Sequence, residues 1–200
     1  TSADPVFILK DGGMQGEYRV VLDRDGREFL LEPDLLHPLA SGTHVERYAL
    51  RKLESVLLFP YCRRDAGMRL MTADELSGFP RTWEYIKGHE ARLRARERGK
   101  MDHDGWWGYV YPKSLGLHDR PKLCVPRLCP RLRVGADPDG QTYLDNVDVN
   151  GIVPREESVP LFTLLAVLNS RLVDWAFRRG SVPFQNDFFS ANKQFISWLP

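Results

Sequence analysis

The segment 160–179 constrains the fold more than any other part of the chain. Leu161, Leu164, Leu165, Leu168, Leu172 and Val173 fall at helical spacing on one wide apolar face. Ser158 stands where a cap belongs, Pro160 suits a first turn, and Gly180 closes the segment. The pattern predicts one long core helix with Leu168 and Leu172 facing inward. Its neighbours are short alternating segments punctuated by turn residues, which read as strands. A core helix among many short strands predicts an α+β fold, with a mixed, largely antiparallel sheet packed by helices.

Tyr18, Val20 and Leu22 alternate before the turn Asp23-Arg24-Asp25-Gly26, and Phe29, Leu30 and Leu31 follow it, so 6–31 is predicted as paired strands. Residues 35–42 read as a loop or short helix, and 51–60 as a strand ending in Val56-Leu57-Leu58-Phe59. Thr72 with Glu75 is a capping-box pattern that opens a short helix halted near Gly78. A longer helix is predicted over 80–98, with Trp83, Ile86 and Leu93 as its stripe and Gly99 just past its end. Residues 106–112 read as a loop leading into a strand. Segments 123–128 and 141–144 read as strands flanking a hairpin turn at Asp137-Pro138-Asp139-Gly140. A short helix near 191–198 ends the chain. No repeat or low-complexity linker divides it; 200 residues suit one medium domain or two small lobes around a shared core, and 1–200 is read as one domain.

The chain holds 28 basic and 27 acidic side chains, and the near-zero balance announces no partner by itself. The distribution does: residues 81–135 carry 13 Lys/Arg against 6 Asp/Glu, while the remainder carries 15 against 21. One basic zone on an otherwise acidic protein suits a polyanionic partner. No apolar run reaches the roughly 18 residues that would span a bilayer. No secretory signal opens the chain, and three cysteines suit a reduced, cytoplasmic setting better than a disulfide framework. Both ends read as cut from a longer polypeptide.

Several catalytic sites are excluded by missing parts. No two prolines adjoin, so the Asp/Asn-Pro-Pro-aromatic motif of amino-methylating DNA methyltransferases is absent. No two glycines stand at i and i+2, which removes the dinucleotide fingerprint and the glycine-rich cofactor loop. No lysine follows an acid by two residues, as many metal-dependent nucleases require. Asn146 to Gly151 with Glu157 imitates a calcium loop, but Pro154 and a preceding strand fit a solvated turn better. Cys124, Cys129, Cys62 and His118 lack a second paired motif for zinc, so the thiols read as buried. Ser114 and Ser170 have no evident His partner, and no site residue is expected to be catalytic or to hold a metal.

The candidate site lies in and after the basic zone. Trp106, Trp107, Tyr109, Tyr111 and Lys113 lead to Lys122, Arg127, Arg131 and Arg133. Cations take phosphates and planar groups take bases, so aromatics interleaved with Arg and Lys suit nucleic acid. Arg127, Arg131 and Lys113 are the leading contacts, followed by Arg133, Trp106, Trp107 and Lys193. Gln185 and Asn186 occupy a polar loop, where their amides either serve the turn's own hydrogen bonds or read adenine. Arg127 and Arg131 would share a face on an unbroken strand, although Pro126 and Pro130 interrupt it.

The order of motifs resembles the target-recognition domain of type IIG restriction–modification enzymes and related adenine DNA methyltransferases, the TaqI-like specificity domain. Leu39-Ala40-Ser41-Gly42 with Arg47-Tyr48 is similar to the family's Leu-x-x-Gly…Arg-Tyr stretch, and Leu57-Leu58-Phe59-Pro60-Tyr61 to its apolar-Pro-Tyr strand. Tyr85-Ile86 with His89, Leu93 and Arg96 resembles its Tyr-Leu-x-x-His…Leu-x-x-Arg helix. Trp106-Trp107 stands for Trp-Tyr, and Lys122-Leu123-Cys124-Val125-Pro126 for Lys-Ile-x-x-Pro. Leu164-Leu165-Ala166-Val167-Leu168-Asn169-Ser170 and Asn192-Lys193-Gln194-Phe195 resemble its last helix and closing segment. Gly108-Tyr109 departs from the usual Glu-Leu.

The resemblance implies a module that reads double-stranded DNA in sequence-specific fashion and positions it for an N-terminal methyltransferase domain of the same polypeptide. S-adenosylmethionine, and Mg where a nuclease domain is present, would belong to those other parts, with no cofactor in this fragment. Two alternatives remain: a structural or protein-interaction module of a phage-defence complex, and a self-contained hydrolase with an unrecognised site.

Overall fold

The computed structural model describes residues 5–65, 67–145, 147–154 and 159–199. The chain divides into two compact units, Thr1–Pro38 with Glu54–Gly116, and Leu39–Leu53 with Leu117–Pro200. The class is α+β, with mainly antiparallel sheets.

In the first unit β1 (Ile8–Gln15), β2 (Tyr18–Leu22) and β3 (Glu28–Leu31) form a meander around the two turns. The strand β4 (Leu36–Ala40) replaces the loop or short helix expected there. Its first three residues pair with β5 (Ser55–Leu58), and β5 pairs with β1, giving the antiparallel order β4-β5-β1-β2-β3. The β1–β2 register slips between Asp11 and Gly13. Gly12 is required there, because a Cβ would stand 2.8 Å from Val20 Cγ1. Phe7, Leu9, Val21, Leu31 and residues 56–59 are buried on and beside this sheet.

β6 (Tyr61–Arg64) and β7 (Gly67–Leu70) make a separate ribbon. The helix α1 (Ala73–Ser77) begins with the expected capping box: Thr72 Oγ1 accepts from the Glu75 amide, and the Glu75 carboxylate accepts from the Thr72 amide. The predicted helix over 80–98 is three pieces: α2 (Pro80–Gly88), α3 (Glu90–Arg94) and a last turn, α4 (Arg96–Gly99). The pieces part at His89 and at Ala95, and within the last turn Glu97 and Arg98 take left-handed φ values of 51° and 59°. The apolar stripe survives, with Ile86 and Leu93 fully buried and Trp83 half-buried. The aromatic loop at 106–112 is a series of turns, and the next strand begins only at Lys122.

In the second unit β8 (Lys122–Pro126), β9 (Leu128–Cys129), β10 (Gly135–Asp137), β11 (Tyr143–Leu144) and β12 (Val149–Ile152) precede two helices. The order β10-β8-β12 is antiparallel. The turn at Asp137-Pro138-Asp139-Gly140 exists, but the strands on either side do not pair with each other. β10 pairs with β8, whereas Tyr143 and Leu144 lie parallel to Leu39 and Ala40.

Alternation along β8 feeds two cores. Leu123 and Val125 join Leu132, Val134, Leu165, Leu168, Val173 and Phe177, while Cys124 joins Ala40, Val45, Leu144 and Val149. The segment 160–179 is two helices, α5 (Leu161–Leu168) and α6 (Arg171–Gly180). Asn169 breaks it, and the Ser170 hydroxyl caps α6 by accepting from the Val173 amide at 3.2 Å. The break rotates Leu172 outward to 72% exposure, which corrects its expected core position, whereas Leu168 is buried. Ser158, Asn146 and Glu157 lie outside the described residues. β13 (Phe189–Ser190) pairs with β9, and α7 (Lys193–Ile196) ends the unit.

Candidate nucleic-acid interface

The sequence candidates divide between the units, and the tryptophans of the first unit serve its core. Trp106 is only 4% exposed, stacked on Trp83 with centroids 5.9 Å apart. Trp107 packs edge-on against Trp83 and donates its indole N–H to the Met71 carbonyl at 2.9 Å. Neither ring is presented as a stacking platform. Arg94 lies over the Trp106 ring, and Arg96 donates to the carbonyls of Trp106 and Gly108 at 2.6 and 2.9 Å. Lys113 stays exposed near the end of the unit. Basic residues 94 and 96 therefore hold the aromatic loop in place.

Lys122, at the start of β8, is buried in the second unit. Its ammonium meets Asp137 Oδ2 at 2.5 Å and the His118 carbonyl at 2.6 Å. A buried pair of this kind is an internal structural device, strongly destabilising to break and closed to phosphate. Burial also pushes the Cys124 and Cys129 thiols up to about 12 and about 11, the range of inert structural cysteines. Among the described residues no three His, Cys, Asp or Glu side chains form a metal-binding group.

Arg127 leads the remaining candidates. It follows the end of β8 at Pro126, and its backbone is fixed on both sides: its amide donates to the Asp148 carbonyl and its carbonyl accepts from the Ala191 amide. Its Nε donates to Asn192 Oδ1 and its Nη1 to the Val147 carbonyl, both at 2.8 Å. Arg133 donates through Nη2 to the Gly42 carbonyl at 3.3 Å, and its buried Nε has no hydrogen-bond partner among the described residues. Asp148 accepts the Gly42 amide on Oδ2 at 2.9 Å, while its buried Oδ1 is likewise unpartnered. Burial raises the pKa of Asp148 despite the opposing Gly42 amide.

These three side chains line one cleft of about 620 Å³, together with Phe184, Phe188 and Asn192. The two phenylalanines flank a turn over Gln185–Asp187, in which Asn186 and Asp187 adopt φ of 58° and 59°. Gln185 and Asn186 are exposed on this turn, and Phe184 is 58% exposed. Lys193 follows Asn192 and is exposed at the start of α7.

Arg131 is not part of the lining. It is 73% exposed and approaches Asp174 at 3.8 Å, so the interrupted strand does not give it the place of Arg127. The structure thus joins Arg127 and Arg133 with the two phenylalanines that flank Gln185 and Asn186, while the two amides themselves are not part of the lining. It also adds Asp148, Phe184, Phe188 and Asn192, which sequence reasoning passed over. The only available signal was a pair of aromatics bracketing two amides. Guanidinium groups that share a cleft with an open aromatic ring can bind an anion, a planar base, or both. A comparison with known protein families finds no match.

Proposed function

We propose that the chain is a sequence-specific double-stranded DNA recognition module of a type II restriction–modification enzyme or adenine DNA methyltransferase, acting in the cytoplasm. It would position DNA for a methyltransferase domain of the same polypeptide, which would supply the S-adenosylmethionine site. The observation that supports this reading is the clustering in the second unit. Arg127 and Arg133 share a cleft with Phe184 and Phe188, the residues that flank the turn exposing Gln185 and Asn186. Cations and an exposed amide-bearing turn within one unit match the division of labour in which phosphate contacts position and base contacts specify.

Fluorescence anisotropy with random and selected duplexes across a salt series tests it. Binding should weaken steeply with salt, and Arg127→Ala or Arg133→Ala should reduce the slope by about one unit if the residue holds a phosphate. A base-reading role would instead remove about 1–3 kcal/mol on the selected duplex alone. No measurable binding to any duplex at low salt would overturn the reading.

A protein-interaction role has one observation in its favour. Phe162 on α5 and Leu172 and Trp175 on α6 are exposed large apolar side chains, as a docking face would present.

A further inference from the structure

We propose that the first unit binds an extended acidic peptide as an added strand, laid along the free edge of β3 in the groove between β3 and α2. This surface belongs to the other unit from the cleft of Arg127, and it does not depend on the DNA reading.

β3 is the last strand of its sheet, so one of its edges carries no neighbour. The hairpin before it decides which backbone groups face that edge. The Asp23 amide donates to the Arg27 carbonyl at 3.0 Å, which makes Asp23 and Arg27 a hydrogen-bonded pair. Such pairs alternate along an antiparallel ladder. Phe29 and Leu31 therefore bond to Val21 and Arg19, while Glu28 and Leu30 turn their N–H and C=O groups outward. Two donors and two acceptors stand in a row, and no hydrogen bond reaches them among the described residues. An open edge of this kind accepts another strand through its main chain.

The groove beside the edge has the size and chemistry for one. It encloses about 580 Å³ between β3 and the face of α2 that carries Arg81, Glu84 and Gly88. Phe29 and Tyr85 meet edge-on in its lining with centroids 4.8 Å apart, and the Tyr85 hydroxyl donates to the Val6 carbonyl at 2.9 Å. Phe29 is only half-buried, which leaves apolar surface for one peptide side chain. The charges at the rim are unequal. Arg27 stands at the head of β3 and Arg81 beside its foot, where the Arg81 amide bonds to Glu32. The Arg81 head group lies over the Tyr18 ring at 4.0 Å and has no ion pair among the described residues. Arg27 reaches Asp25 at 3.2 Å with both side chains more than two-thirds exposed, a pairing that solvent weakens. Glu84, the acid of the lining, is matched by Lys87 at 2.5 Å. The balance favours carboxylates at both ends of the incoming strand, about four residues apart to match the length of β3.

The probe is the labelled peptide Ser-Glu-Thr-Leu-Thr-Glu-Ser, titrated against the full chain by fluorescence anisotropy. Two versions N-methylated on alternate residues separate strand addition from other docking, because alternate amides of a strand face opposite sides. One should bind like the parent and the other at least about tenfold more weakly, having lost its donors to β3. In hydrogen exchange the Glu28 and Leu30 amides should be fast in the free chain and slow once the peptide saturates it, with Phe29 and Leu31 protected throughout. Glutamine in place of both peptide glutamates should weaken binding about threefold, and Arg27→Gln with Arg81→Gln should remove that difference. Gly88→Phe should block the peptide and leave the denaturation midpoint unchanged, because a Cβ there meets nothing within 4 Å. Equal binding of the two methylated peptides, or Glu28 and Leu30 amides that the peptide leaves unprotected, overturns the proposal. So does a peptide that fails to bind; if a DNA duplex then loses affinity with Arg81→Gln, the groove belongs to nucleic acid instead.

Discussion

Glu32 ties β3 to the helix that follows α1. Its carboxylate accepts from the Arg81 amide at 3.0 Å, the Thr82 amide at 2.8 Å and the Thr82 hydroxyl at 2.6 Å, all in the first turn of α2. Burial pulls its pKa upward, but the hydroxyl and the two amides outweigh that and hold it below the ordinary glutamate value. A lowered folded pKa means that the contribution is complete above the unfolded value of about 4.3 and fades as pH falls through the lower folded one. Glu32→Gln should cost about 1 kcal/mol at neutral pH, with solvent screening keeping the figure modest. It should also flatten the acid limb of the stability profile. Denaturant titrations between about pH 3 and pH 7 check this, and parallel acid limbs in the two proteins would refute it. Single residues of this kind were poorly legible in the sequence. Composition located the basic zone, but not that Arg96 holds the Trp106 loop or that Lys122 is sealed against Asp137. A charge count does not say which cations already have partners inside the fold.

At the scale of elements, legibility followed the range of the signal. The Thr72–Glu75 capping box and the turn at Asp23-Arg24-Asp25-Gly26 depend on a few adjacent residues and appear where the pattern put them. The parallel pairing of Tyr143 and Leu144 with Leu39 and Ala40 spans about a hundred residues, and no local pattern encodes it. The segment 160–179 misled for a related reason. Its apolar spacing runs straight across Asn169, while tertiary bonds decide the break there: the Asn169 side chain exchanges hydrogen bonds with the Val134 amide and carbonyl, and its carbonyl accepts from Arg47. The two leucines on either side should therefore behave differently. Leu168→Ala should destabilise by about 2–5 kcal/mol because it leaves a cavity in a packed core. Leu172→Ala should stay within about 0.5 kcal/mol. Similar losses in both, measured by denaturant titration, would contradict the broken helix.

For the whole molecule, the decisive feature is that both units are discontinuous in sequence. Residues 39–53 supply Ala40 and Val45 to the core around Cys124, with Leu50 and Leu53 packed against it. The fragment 117–200 should consequently lack cooperative unfolding when produced alone, and a peptide covering residues 39–53 should restore it in trans. A cooperative transition from the fragment by itself would show that the inserted segment is dispensable. The same interleaving bears on synthesis. Residues 39–53 leave the ribosome before any of residues 117–200, and at bacterial to eukaryotic elongation speeds the interval is on the order of several seconds. Throughout that time Val45 and Leu50 wait uncovered, and folding in the cell depends on keeping that stretch from the wrong partner until its own arrives.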